Sequence, residues 1–193
     1  MKSVCVFCGS NSGKGTSYLL AAQKLGKLIA ERNLMLVYGG GNVGLMGELA
    51  NTVLQYNGKV IGVIPQDLVA RETALHEVTE LRIVNSMHER KAMMSELSDG
   101  FIAMPGGIGT FEEFFEIWTW AQLGIHSKPI CLFNVDNYYE LLIKFIQNVQ
   151  SQDFIKEETS RMIFVESDVE AMIDKMNDFA PVQVRKWLMP SGS

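Results

Sequence analysis

The chain has 193 residues, 47% of them hydrophobic and 20% charged, enough apolar material for one domain with a substantial core. A net charge of -5 argues against a broad nucleic-acid footprint, so any phosphate must be held by a local pocket. No segment is long and apolar enough to span a membrane, no secretory leader precedes the first strand, and three cysteines are too few for a disulfide framework, so a cytoplasmic protein is expected.

Short apolar runs alternate with helical patterns along the whole sequence. The first predicted strand, Ser3–Phe7, leads into Cys8-Gly9-Ser10-Asn11-Ser12-Gly13 and a helix over Ser17–Arg32. Cys5 and Cys8 form a C-x-x-C, but on a strand residues three apart point to opposite faces, so buried structural thiols are expected. The second strand, Leu34–Tyr38, leads into Gly39-Gly40-Gly41-Asn42-Val43-Gly44 and a helix over Gly44–Tyr56. The third, Lys59–Ile64, runs into Pro65-Gln66-Asp67, and the fourth, Val78–Val84, into Asn85-Ser86-Met87-His88-Glu89-Arg90-Lys91, where a helix over Ser86–Ser98 begins. The fifth, Phe101–Met104, precedes Pro105-Gly106-Gly107-Ile108-Gly109-Thr110 and a helix over Thr110–Leu123. Strands at Pro129–Phe133 and Ile163–Val165 and helices at Tyr138–Gln150 and Asp168–Phe179 complete the pattern. This repetition predicts an α/β, Rossmann-like, doubly wound parallel sheet of about seven strands with helices on both faces. Without linker or repeat, residues 1–188 read as a single nucleotide-binding domain and residues 189–193 as a disordered tail. Ligands of such sheets bind beyond the carboxyl ends of the strands, where three glycine-rich turns and the Arg90-Lys91 pair converge.

Several motifs have structural and functional readings. Gly39-x-Gly41-x-x-Gly44 matches the dinucleotide fingerprint in letter but follows the second strand, with Asp67 as a loose acidic partner; a tight turn explains it equally well. Gly9 to Thr16 fails the triphosphatase loop because Gly13-Lys14 arrives one residue early, although Ser10 can still offer a hydroxyl. Ser86-x-x-Glu89 and Thr110-x-x-Glu113 both read as capping boxes. The glycines ahead of Thr110 favour a phosphate at that helix start, which leaves the Glu113 carboxylate to serve another part of the ligand. Glu113 and Glu116 share a helix face and are expected to look into the pocket, whereas Glu112 is expected in solvent. His88 reads as a peripheral residue, and His76 and His126 as structural ones. The helix around Phe111, Phe114, Phe115, Ile117, Trp118, Trp120 and Leu123 is apolar nearly all the way round, which points to a homodimer through it.

Together, Tyr38-Gly39-Gly40-Gly41, Gly44-Leu45-Met46-Gly47, Met87-His88-Glu89-Arg90-Lys91 and Pro105-Gly106-Gly107-Ile108-Gly109-Thr110-Phe111-Glu112-Glu113 resemble the LOG (Lonely Guy) family. These are cytokinin riboside 5′-monophosphate phosphoribohydrolases, often labelled lysine decarboxylase-like. The resemblance runs from about Cys5 to Phe133. It implies a Rossmann-like dimer that hydrolyses a nucleoside 5′-monophosphate, with adenine or an N6-modified adenine as base, to free base and ribose 5-phosphate. By position, Arg90 and Glu113 correspond to the catalytic pair, and Lys91 with Gly106, Gly107, Ile108, Gly109 and Thr110 to nucleotide-binding positions. Glu72 falls where the family has a substrate-contacting glutamate, and Ile108 where many members have tyrosine. Ser10, Gly39, Gly40, Gly44, Met87 and Glu116 complete the expected substrate-binding set. No metal or organic cofactor is required, and no nucleic-acid or membrane partner is expected. Three competing readings are a non-catalytic nucleotide or cofactor carrier on the same fold, a pyridoxal-phosphate lysine decarboxylase using Lys91, and a dinucleotide oxidoreductase using Gly39 to Gly44.

Overall fold

The computed structural model describes residues 1–69 and 74–181. Its strands are β1 (Ser3–Phe7), β2 (Met35–Tyr38), β3 (Lys59–Pro65), β4 (Glu80–Val84), β5 (Phe101–Ala103), β6 (Ile130–Phe133) and β7 (Ile163–Glu166). They form one seven-stranded sheet in the order β4-β3-β2-β1-β5-β6-β7, and every pairing is parallel. The chain starts in the middle, steps outward to β4, then returns to place β5 against β1. Strand order therefore reverses between β1 and β5, and the loops that leave these two strands open a crevice there.

The helices are α1 (Ser17–Glu31), α2 (Gly44–Gln55), α3 (Met87–Glu96), α4 (Ile108–Gln122), α5 (Glu140–Ser151), α6 (Glu157–Ser160) and α7 (Val169–Asn177). Period-two alternation along β1 divides the apolar residues between two cores. Val4, Val6 and Cys8 face α1, α2 and α7 through Leu25, Leu49 and Ile173. Cys5 and Phe7 join Met94 of α3, Phe114 and Trp118 of α4, and Ile146 of α5 on the other face. The two cysteines thus lie on opposite faces as free, buried thiols, and burial raises the pKa of both. This is the doubly wound arrangement that the alternating pattern predicts.

Differences from the sequence reading lie at element ends. β4 starts at Glu80 and not at Val78, because the β3 amide of Val60 donates to the Thr79 side chain (3.0 Å), while Val78 turns into the core. Two single-turn 3-10 segments, Gln66–Leu68 and Val135–Asn137, and the short α6 leave no periodic signal to read. Glu72 and the tail at 189–193 lie outside the described residues. Among the described residues, no helix is long and apolar enough to cross a membrane.

Candidate active site

The β1–β5 crevice is closed by glycines in contact. Gly9 donates its amide to the Pro105 carbonyl (3.1 Å). A Cβ at Gly106 would sit 2.9 Å from the Gly9 nitrogen and 2.1 Å from Thr110 Oγ1. Any side chain at Gly106 would therefore separate the two turns. Gly44, with φ of 55°, closes the β2 turn onto the same unit: its Cβ would fall 2.3 Å from the Ser10 carbonyl carbon. Next to it, Leu45 donates its amide to the Gly9 carbonyl (3.0 Å). Three loops that are far apart in sequence thus form one backbone-on-backbone platform, and Gly44 spends its freedom on that contact. Gly40 (φ 80°) turns towards β3, where its Cβ would meet Ile64, and its carbonyl accepts from Leu75. Beside the platform lies a cavity of about 260 Å³ walled by Ser10, Ser12, Tyr18, Gly107 and Tyr138 among others. Arg90 and Glu113 are not among its walls, so the cavity and the charged pair are separate parts of the crevice.

The start of α4 departs from the capping-box reading. The helix begins at Ile108, with Gly107 as N-cap and no side-chain cap, which makes Thr110 its third residue. Thr110 is buried against Gly106 and is not a cap. The first amides of α4 thus keep their donors without a capping side chain, and the space around Gly107 and Gly109 is open. Ile108, 87% exposed, extends from the same turn. An uncapped, glycine-lined helix start of this kind suits an anion.

The start of α3 is capped. Ser86 Oγ accepts from the Glu89 amide (3.1 Å), and Glu89 Oε2 accepts from the Asn85 amide (2.8 Å), one residue earlier than in the usual box. This fixes the first turn and points Arg90 and Lys91 inward. Arg90 is only 5% exposed. Its Nη2 donates to the Gly39 carbonyl (3.2 Å), its Nη1 lies 3.6 Å from the sulfur of Met87, and its buried Nε has no hydrogen-bond partner among the described residues. A Cβ at Gly39 would lie 2.0 Å from Nη2, so this glycine makes room for the guanidinium. Burial pushes the Cys5 thiol up; the Glu113 carboxylate adds to that push, and Arg90 opposes it. Glu113 also pushes up Cys8. The charges of Arg90, from α3, and Glu113, from α4, thus both reach Cys5 in the middle of β1.

Lys91 has a different role. Its ammonium pairs with Glu112 and, at 3.0 Å, with Glu116, while its own side chain is 7% exposed. Burial alone would lower its pKa, but these two carboxylates more than offset that and hold it above the ordinary lysine value. Two expectations are corrected here. Glu112 is not merely solvated but ties α4 to α3, and Glu116 turns to Lys91, leaving its Oε2 buried without a partner among the described residues. The cause is the packing angle of α3 against α4, which no one-dimensional spacing records. His126 bridges the Ile117 carbonyl and the Lys128 amide, in keeping with a structural role, and His76 and His88 are exposed. Sequence reasoning missed Tyr138 and Tyr139, whose hydroxyls donate to the Gly106 and Met104 carbonyls. Two adjacent aromatics just beyond a strand's carboxyl end were the available signal.

A parallel sheet with glycine turns meeting at its switch point, beside a buried arginine, defines a Rossmann-like α/β protein. The family model described as "Possible lysine decarboxylase" matches residues 46–176. The chain is 50% identical, over 173 residues, to the cytokinin riboside 5′-monophosphate phosphoribohydrolase of Rhodococcoides fascians, covering 89% of this chain and 87% of that protein. It is 46% identical, over 184 residues, to the cytokinin riboside 5′-monophosphate phosphoribohydrolase LOG3 of Arabidopsis thaliana, covering 95% and 86%. The chain belongs to this LOG family. Among solved structures, the molybdenum cofactor binding protein of Rippkaea orientalis superposes with a TM-score of 0.70 at 22% identity, over 92% of this chain and 97% of that one. The molybdenum cofactor carrier protein of Chlamydomonas reinhardtii does so with a TM-score of 0.69 at 20% identity, over 92% and 98%. At such identities the likeness is one of fold.

Proposed function

We propose that this protein is a phosphoribohydrolase that cleaves the N-glycosidic bond of a purine ribonucleoside 5′-monophosphate, with adenine or an N6-modified adenine as base. The products are the free base and ribose 5-phosphate. The observation that carries this reading is Arg90: a buried guanidinium with an unfilled Nε, held against the Gly39 carbonyl at the sheet edge. A buried cation with a spare donor is costly unless a ligand or ordered water completes it. The family relatives supply the reaction class.

In this mechanism the uncapped start of α4 and the surrounding glycine turns hold the 5′-phosphate, and that remote binding energy positions the ribosyl carbon. As the C1′–N bond breaks, its electron pair leaves with the base and positive charge develops on the sugar. Glu113 stabilises that charge and takes a proton from the attacking water, whose oxygen bonds to C1′, while the departing base nitrogen takes up a proton from solvent to give the neutral free base. Arg90 keeps Glu113 ionised and oriented. Lys91 acts from behind, holding α3 to α4 through Glu112 and Glu116. No step requires a metal or organic cofactor. A pyridoxal-dependent decarboxylase would need a lysine able to lose its proton; Lys91 is held protonated by two carboxylates, which weighs against that reading.

The proposed working form is a cytoplasmic homodimer that binds neither nucleic acid nor membrane. Phe115, Leu123 and Ile125 are exposed on and just after α4, the helix expected at the dimer interface. Light scattering at micromolar concentration should give twice the chain mass; a monomeric mass would remove the dimer. The activity is tested with a panel of nucleoside 5′-monophosphates and the matching nucleosides. Base should be released from the monophosphates in strong preference. Release of none, or equal release from both classes, would overturn the proposal.

A further inference from the structure

The phosphate-binding turn is held from outside by a pair of tyrosines. Tyr139 Oη donates to the Met104 carbonyl (2.6 Å), at the point where β5 ends. Its neighbour Tyr138 donates to the Gly106 carbonyl, two residues further along the same turn. The two rings meet edge to face at 4.9 Å. This contact extends on one side to Tyr18 of α1 and on the other to Phe111 of α4. The segment that presents them is itself fixed. Asp136 and Asn137 are both in the left-handed region, and the Asn134 side chain accepts from the Tyr139 amide (2.7 Å).

We propose that Tyr138 and Tyr139 are positioning residues that aim the Pro105–Gly107 turn, with Tyr138 setting the affinity of the site for the 5′-phosphate. In a glycine turn, carbonyls and amides compete to face the ligand, and a carbonyl facing a phosphate repels it. A phenol that ties a carbonyl back keeps it out of the site and leaves the amides forward, as an anion-binding concavity requires. Glycine makes the turn able to adopt this shape, but the same freedom means that something else must hold it.

The two tyrosines divide the work by burial. Tyr139 is 1% exposed and anchors the base of the turn, where its loss would leave a buried carbonyl unpaired. Burial also keeps its phenol protonated well past the ordinary tyrosine range, so its hydroxyl remains a donor. Tyr138 is 36% exposed and walls the cavity together with Gly106 and Gly107, so its hydroxyl is dispensable to the core and acts only at the tip.

This inference rests on the phosphate assignment made above, and its test separates the two. Isothermal titration of ribose 5-phosphate into wild type and Tyr138→Phe should show binding weakened about tenfold, the worth of one hydrogen bond to the turn. In steady state, Tyr138→Phe should raise KM for the monophosphate with kcat nearly unchanged, and leave the slow cleavage of the matching nucleoside untouched. Tyr139→Phe should weaken ribose 5-phosphate similarly and also lower Tm by about 2–4 °C. Unchanged ribose 5-phosphate affinity in Tyr138→Phe, absence of wild-type binding, or an equal loss on monophosphate and nucleoside would overturn the proposal. Weakened ribose 5-phosphate binding in a protein that cleaves no nucleotide would uphold the tyrosine pair and overturn only the hydrolase reading.

Discussion

The starts of α3 and α4 carry the same four-residue signature, Ser86-x-x-Glu89 and Thr110-x-x-Glu113, and use it in different ways. At α3 the hydroxyl caps the helix and the carboxylate secures the preceding turn. At α4 the helix begins three residues earlier relative to the signature, at Ile108 behind Gly107, so the hydroxyl is packed inside and the first amides have no side-chain cap. One helix start is sealed by side chains, and the other carries no side-chain cap. The difference comes from the residues ahead of each signature. Asn85 gives Glu89 an amide to accept from, whereas Gly106-Gly107 lets the chain enter the helix early and press against Gly9. The same signature can therefore cap a helix in one place and be packed inside it in another.

The strongest attempt to break this comparison is Glu113→Gln. Turnover should fall by about 10²–10⁴-fold while Tm and monophosphate binding stay near wild type. Undiminished turnover would return Glu113 to an ordinary helical residue. The equivalent change at α3, Glu89→Gln, should leave kcat within about twofold, since its partner is a backbone amide away from the reacting atoms.

A smaller but sharper effect is expected from Gly39→Ala. Its Cβ would fall 2.0 Å from Arg90 Nη2, the far end of a flexible side chain that can swing aside at little cost to the fold. Turnover should drop by about 10–100-fold through the displaced guanidinium, with Tm changed little. If kinetics and Tm both remain at wild-type values, Arg90 does not need its observed position.

Lys91 supplies a pH test of the link between the two helices. Its folded pKa lies above the ordinary 10.5, so its stabilising contribution is complete below that value and is lost as pH rises through the raised one. The Tm difference between wild type and Lys91→Met should be constant near neutrality and shrink at strongly alkaline pH. A gap that does not narrow would mean that Lys91 acts through packing alone. The smallest effect belongs to Ser86→Ala, which should cost about 1 kcal/mol in chemical denaturation, the usual worth of an N-cap, with kinetics preserved. A loss of activity larger than the loss of stability would show that the α3 cap also aims Arg90.

Much of the fold could be read from the chain because parallel strands buried on both faces appear as short apolar runs, and each run here ends in a turn signal. Convergence of the loops followed from parallelism alone, so Arg90 and Glu113 could be placed at one edge before any coordinates. Side-chain partners could not be read in the same way. Arg90 and Lys91 are adjacent and equally charged, yet one guanidinium reaches Gly39 and one ammonium is held by Glu112 and Glu116. Which cation takes which partner depends on how α3 packs against α4. The roles of Tyr138 and Tyr139 stayed hidden for a related reason: their partners are backbone carbonyls, which every residue type carries.

The sequence by itself determined the α/β alternation, the seven strands, the glycine turns and the pair of charges at the sheet edge, because periodicity and turn chemistry act over a few residues. The tertiary structure decided that α4 starts uncapped at Gly107, that Gly9, Gly44 and Gly106 make one platform, and that Lys91 pairs with Glu112 and Glu116. These outcomes depend on contacts between segments tens of residues apart, whose distances and angles are fixed only when the whole sheet is assembled.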